Sequence, residues 1–161
     1  MRRSLVLALF LGSCGKAPGA PSPAAGTAAP PVAAAPGEVS TLGSVEVTAR
    51  LIDITGTFPP NKLYDYVYVM KYQVEKTHRG KTPSDLIFVG HYNPLKPRSR
   101  AQDKFSGRIG GSVEAFRVGD IHRLALESPL DQAMPMVGLI DKYIQEKGIR
   151  YWAIWTDRGA D

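Results

Sequence analysis

The chain is poor in cysteine and histidine, and its early part has no acidic residues. It has one Cys and three His among 161 residues. A single cysteine excludes an internal disulfide framework and any zinc or iron–sulfur site built from several thiolates. His78, His91 and His122 are scattered, with no His-x-His or His-Glu-x-x-His spacing, so neither a metal nor a cofactor is expected. No Gly-x-Ser-x-Gly elbow is present, which excludes a serine hydrolase of the α/β type. The run Gly107-Arg108-Ile109-Gly110-Gly111-Ser112 lacks Gly-x-Gly-x-x-Gly spacing and a phosphate-binding Lys-Ser/Thr, and is expected to be a mobile turn. All 15 Asp and Glu lie at or after Glu38.

What the beginning does contain is a basic start, Met1-Arg2-Arg3, then the apolar run Leu5 to Leu11 and the small residues Gly12-Ser13 before Cys14. That order is a secretory signal. The run is too short for a permanent span, which takes about 20 residues. Leu11-Gly12-Ser13-Cys14 resembles the lipobox of bacterial lipoproteins. The resemblance implies a signal peptide over 1–13, cleavage before Cys14 and lipidation of its thiol. Two or more acyl chains hold a protein stably at a membrane. Gly15, in the place where Asp would imply inner-membrane retention, implies the outer membrane. The alternative is a secreted protein with a free Cys. Without Arg2 and Arg3 the balance falls from 20 basic against 15 acidic groups to 18 against 15. A charge of +3 is a weak argument for nucleic acid, and none is expected as a partner.

From Gly15 to Gly37, 15 of 23 residues are Ala or Pro. Repeated proline blocks a helix, and nothing there can form a core, so 14–37 reads as a lipidated tether. Residues 38–161 then form one domain. The even positions Tyr64, Tyr66, Tyr68, Met70, Tyr72 and Val74 alternate with mostly polar odd ones, which predicts a long strand over 63–77 with one face buried. Shorter strands are expected over 86–89, 121–127 and 151–156. Between Val45 and Ile54 the apolar parity slips, as at a bulge that curves a sheet. Met136, Leu139, Ile140, Tyr143 and Ile144 follow helical spacing and predict a helix closed by Gly148. The fold expected is mainly β: a small antiparallel OB-like barrel of five or six strands with one helix before the last strand, or alternatively a small sandwich.

The segment from Gly90 to Arg108 sets five cations against Asp103 alone within 96–108, and Pro94 and Pro97 stiffen it. His91, Tyr92, Lys96, Arg98, Arg100, Lys104 and Arg108 are the candidate binding residues. Guanidinium groups pair with carboxylate or phosphate, and an aromatic ring covers a sugar face. The alternative is a solvated basic loop. Asp120 and His122 could share a strand face as an acid orienting a base, but no nucleophile stands near them in sequence.

Leu63-Tyr64-Asp65-Tyr66 together with Gly90-His91-Tyr92-Asn93-Pro94 resembles a group of bacterial secreted β-rich domains associated with envelope polysaccharide synthesis and O-acetylation systems. The likeness spans about residues 44–157 and implies no catalytic residue. The expectation is a lipoprotein of the bacterial envelope that faces the periplasm from the outer membrane and touches the membrane only through its lipid. Its partner would be an acidic envelope polysaccharide or a polysaccharide-assembly protein complex. The alternatives are a structural lipoprotein docking on a protein through an apolar surface, and a small hydrolase or transferase using His91 or His122. A binding role is preferred to an enzymatic one.

Overall fold

A computed structural model describes residues 42–56, 65–101, 109–134 and 138–159. The chain divides between Val32 and Ala33, and every described residue belongs to the second unit. The expected signal segment, Cys14 and the expected Ala/Pro tether lie outside the described residues, as do Lys104 and Arg108. Among the described residues six strands are formed, β1 (Val45–Asp53), β2 (Tyr66–Arg79), β3 (Leu86–Tyr92), β4 (Ile121–Glu127), β5 (Gly138–Ile140) and β6 (Arg150–Arg158), with one short α-helix, α1 (Leu130–Ala133), and a 3-10 turn at Arg98–Arg100.

The strands lie in the order β1-β4-β6-β3-β2, and β2 pairs with β1 to close the ring. This is a small OB-like barrel. β5 stands outside the ring, on β2. The expected all-antiparallel pairing is corrected in one respect: β3 and β6 run parallel, as do β2 and β5. Arithmetic requires the first exception. Strand directions cannot alternate all the way round a ring of five, so one neighbouring pair must be parallel.

Alternation builds the core. Val47, Ala49 and Leu51 of β1, Met70 and Tyr72 of β2, Val89 of β3, Leu124 and Leu126 of β4, and Tyr151 of β6 fill the barrel. The expected phase slip is present: the β1–β2 register shifts between Leu51 and Asp53, leaving Ile52 36% exposed. A second apolar cluster lies on the outer side of β2, β3 and β6. Val67, Val69, Phe88, Tyr92 and Trp152 are covered there by Leu130, Met134 and Tyr143 from the β4–β6 connection. The β2–β3 face is where OB barrels commonly take polymeric ligands. In this chain its own connection packs on that face.

That same connection carries the one helix expected before the last strand, as α1, but not over 136–144; Met136 lies outside the described residues. Gly138–Ile140 is a strand, and the chain turns directly after it. A strand is possible because Gly138 has no side chain; a Cβ there would lie 2.6 Å from the Tyr66 ring. The turn carbonyls that a helix would have satisfied internally are served by Arg150. Its guanidinium donates to the carbonyls of Tyr143, Glu146 and Gly148, and its Nε donates to Asp141 Oδ2 at 3.1 Å. Of the apolar stripe, Tyr143 is buried, whereas Leu139 and Ile144 are 53% and 73% exposed.

The glycine run is also corrected where it is described. It is a docked bridge and not a mobile turn: Gly110 N donates to Ile154 O at 3.0 Å, and Thr156 N returns a bond to Gly110 O at 3.0 Å. A Cβ on Gly110 would lie 2.3 Å from the Trp155 ring. At Gly111, with φ +128°, a Cβ would lie 1.9 Å from Thr156 O, a backbone atom that cannot move cheaply. Gly111→Ala should therefore destabilise the fold by about 2–4 kcal/mol through steric conflict and a positive-φ cost. Urea unfolding measures this directly, and a loss under about 0.5 kcal/mol would show the bridge to be optional.

Candidate functional site at the mouth of the barrel

The expected basic loop divides in two. His91 and Tyr92 belong to β3 and have no exposed surface, and Arg98 is 1% exposed. Lys96 and Arg100 are exposed. His91, Tyr92 and Arg98 are therefore corrected from surface binding residues to interior ones. Arg98 is inside because the chain leaving β3 needs donors. One terminal nitrogen serves the carbonyls of Tyr92, Asn93 and Lys96 at 2.7, 2.8 and 3.2 Å. The guanidinium also lies 5.3 Å from the Phe116 ring centre. Burial lowers its pKa to about 10, so it stays charged at neutral pH. Asn93, at φ 42°, locks the same corner: its side chain donates to Asp65 Oδ1 at 2.8 Å, and its backbone N donates to Tyr66 O at 3.0 Å. The Asp65-Tyr66 and Asn93 positions quoted for the family likeness thus meet as a structural clasp.

Beside Arg98 the barrel interior holds a polar chain. Tyr72 Oη lies 3.1 Å from His91 Nε2 and 3.1 Å from His122 Nδ1. Phe116 covers both imidazoles, with ring centres 4.5 Å from His91 and 5.4 Å from His122. On the far side of His122, Nε2 lies 4.0 Å from Asp120 Oδ2. Tyr72 has one proton to give, so one imidazole nitrogen must donate to it and the other must accept from it. The Asp120 carboxylate favours a proton on Nε2 of His122, which leaves Nδ1 to accept from Tyr72. His91 Nε2 then donates to Tyr72, and His91 Nδ1 keeps a lone pair with no hydrogen-bond partner among the described residues. The reverse order would bury an unpaired N–H and face a lone pair toward a carboxylate, which costs more.

Burial holds His91 far below its ordinary pKa, and the charges of Arg98 and His122 add to this. Burial likewise lowers His122, to about 4, against the pull of Asp120. Both rings are neutral at pH 7. His91 has no exposed surface, so it cannot meet a substrate in this conformation.

Asp120 and the edge of His122 line a cleft of ≈ 400 Å³ at the end of the barrel. The turn before β4 positions them. Asp120 N donates to Arg117 O at 3.1 Å, Gly119 N donates to Leu51 O at 2.7 Å, and Leu51 N donates back to Asp120 O at 2.9 Å. On the other wall, Arg158 pairs across the sheet with His122, and Gly159 N donates to Ile121 O at 2.8 Å. Arg117, Arg158 and Glu114 complete the charged lining. Two guanidinium groups, two carboxylates and a neutral imidazole can hold a small polar ligand that carries both an anionic group and hydroxyls.

The sequence pointed to Asp120 and His122 through their spacing, but not to Arg117, Arg158 or Tyr72. Arg158 reaches the site only because β6 pairs with β4, and Tyr72 because β2 neighbours β3, which carries His91, while ring closure through β1 brings it to His122 on β4. No group of three or more His, Cys, Asp or Glu is placed to hold a metal among the described residues. No protein-family model, curated protein or solved structure matches the chain.

Proposed function

We propose that this protein is a lipid-anchored accessory module of the bacterial envelope, facing the periplasm from the outer membrane, and that its barrel binds an acidic glycan. The lipobox-like start, the Ala/Pro tether and the likeness to envelope polysaccharide-associated domains support the setting. The observation that carries the binding reading is the polar cleft flanked by Arg117 and Arg158. Lys96 and Arg100, exposed on the loop after β3, would extend the basic surface for a chain longer than the cleft.

The test uses the full-length protein in detergent micelles with acidic and neutral polysaccharides at two salt concentrations. Binding of acidic polymers should weaken as screening shortens to about 8 Å at physiological strength. Arg117→Gln with Arg158→Gln should remove most of it, and Lys96→Gln with Arg100→Gln should reduce it less. Salt-independent binding, or none, would sink the proposal. A second reading is docking on a protein of a polysaccharide assembly, and Leu139 and Ile144, exposed on and just after β5, favour it. Such docking should be nearly indifferent to salt and should weaken in Ile144→Ser.

A further inference from the structure

The Asp120–His122 pair deepens the glycan reading, on which the following rests. We infer that the cleft selects a hydroxyl-bearing anion of the sugar-acid type, with the hydroxyl seated between Asp120 and His122 and the anionic group on Arg117 and Arg158. The distance is the first argument. At 4.0 Å, Nε2 and Oδ2 are too far apart to bond each other well, yet the 42% exposed Asp120 side chain and the 2% exposed edge of His122 line the same cleft. An oxygen placed about 2.8 Å from each would subtend an angle of about 90° between them, close to what a hydroxyl accepts.

Chemistry supplies the second argument. A hydroxyl both accepts and donates, and the pair offers one of each: an Nε2–H donor and a carboxylate acceptor. A carboxylate or phosphate oxygen in the same place would face Asp120 with like charge, so the pair admits a hydroxyl and rejects a bare anion. The anion is left to the guanidinium groups, which suit it. The third argument is the buried chain behind the ring. With the proton of His122 on Nε2 beside Asp120, Nδ1 accepts from Tyr72 and Tyr72 accepts from His91, so the buried chain is satisfied only with the donor on the cleft side. Tyr72 and His91 are positioning residues; Asp120 and His122 are the ones that touch the ligand.

Three short oligomers separate the contributions: oligoglucuronate with hydroxyls and carboxylates, polyacrylate with carboxylates only, and dextran with hydroxyls only. The full-length protein should bind oligoglucuronate at least about tenfold more tightly than either of the others, as expected for a hydrogen-bond pair that includes a charged partner. Asp120→Asn should abolish the preference over polyacrylate while leaving the fold intact, since the carboxyl is substantially exposed. The ¹⁵N spectrum of the unaltered protein at pH 7 should show His122 protonated at Nε2.

Equal binding of oligoglucuronate and polyacrylate would overturn hydroxyl selection and leave the acidic-glycan reading standing as charge recognition. A preference unchanged in Asp120→Asn, or His122 protonated at Nδ1, would overturn the assigned roles. Failure of oligoglucuronate and of all acidic polymers to bind would remove the glycan reading and this inference together.

Discussion

Arg98→Ala should destabilise the protein by about 3–5 kcal/mol, while Arg100→Ala, two residues away, should cost less than about 0.5 kcal/mol. Both are arginines of one basic loop, and charge alone would predict similar effects. The difference is where each guanidinium sits. Arg98 is 1% exposed and serves three carbonyls at the exit of β3. Hydrogen bonds to a charged donor contribute about 1.5–3 kcal/mol each, and acceptors left buried without a donor add a desolvation cost. Against this stands the relief of removing a buried cation, which keeps the expected loss below the simple sum. Arg98→Met separates the two effects: it retains most of the volume, so any loss it shows belongs to the missing donors. Arg98→Lys should recover only part of the stability, because one ammonium cannot reproduce a planar fork. Chemical denaturation of the four variants checks the order. If Arg98→Ala were as mild as Arg100→Ala, the corner would be held by Asn93 alone.

Acid should weaken the fold in a defined window. A histidine whose folded pKa lies below its unfolded value of about 6.5 makes no difference above that pH, because it is neutral in both states. Below it, the unfolded chain takes up protons that the folded barrel refuses, so stability falls as pH drops toward the folded pKa. For His122, with a folded pKa of about 4, the loss between pH 6.5 and 4 amounts to about 3 kcal/mol. His91 is shifted in the same direction and steepens the fall. The cause lies in the packing. Phe116 and the barrel wall cover His91 fully and leave His122 only its cleft edge, Arg98 repels a proton on His91, and Asp120 only partly offsets burial at His122. Urea midpoints at pH 7, 5.5 and 4.5 should decline progressively. His122→Gln should flatten the decline even though it lowers stability at pH 7. A midpoint constant from pH 7 to 4.5 would show that the rings take protons in the folded state.

The β pattern was legible in the sequence because alternation is a local signal. Tyr66 to Val74 alternates for a face buried along most of its length, and the slip at Ile52 marks the place where β1 bends against β2. His122, Leu124 and Leu126 share a face in the sequence and all three are buried in β4. The helix expected over 136–144 failed for an equally physical reason. Helical spacing in Met136 to Ile144 is one periodicity among competitors, and a parallel pairing with Tyr66–Tyr68, open only to Gly138 at its first position, outweighed it. Nothing local to residues 136–144 reveals that Arg150 will cap the turn carbonyls.

The candidate site followed the same division. Composition drew attention to a run of cations and prolines after His91, and the structure turned His91, Tyr92 and Arg98 inward while leaving Lys96 and Arg100 exposed. A charged side chain reads as solvated until it is known which backbone groups will be buried without donors. Asp120 and His122 could be paired from sequence because they are two apart at the start of β4. Arg158 and Tyr72 could not, since each comes to the pair from another strand, and Arg117, though in the same turn, carried no spacing signal.

The sequence alone was enough for the five strands of the ring, their inward faces and the bulge. These depend on residue spacing along the chain. Closure decided the rest: which pair must run parallel, which arginine is spent on carbonyls, that the β4–β6 connection covers the outer β2–β3 face, and that two histidines meet on one tyrosine. Those outcomes depend on which distant groups must satisfy one another once water is excluded, and only the folded barrel brings them within 3 Å or so.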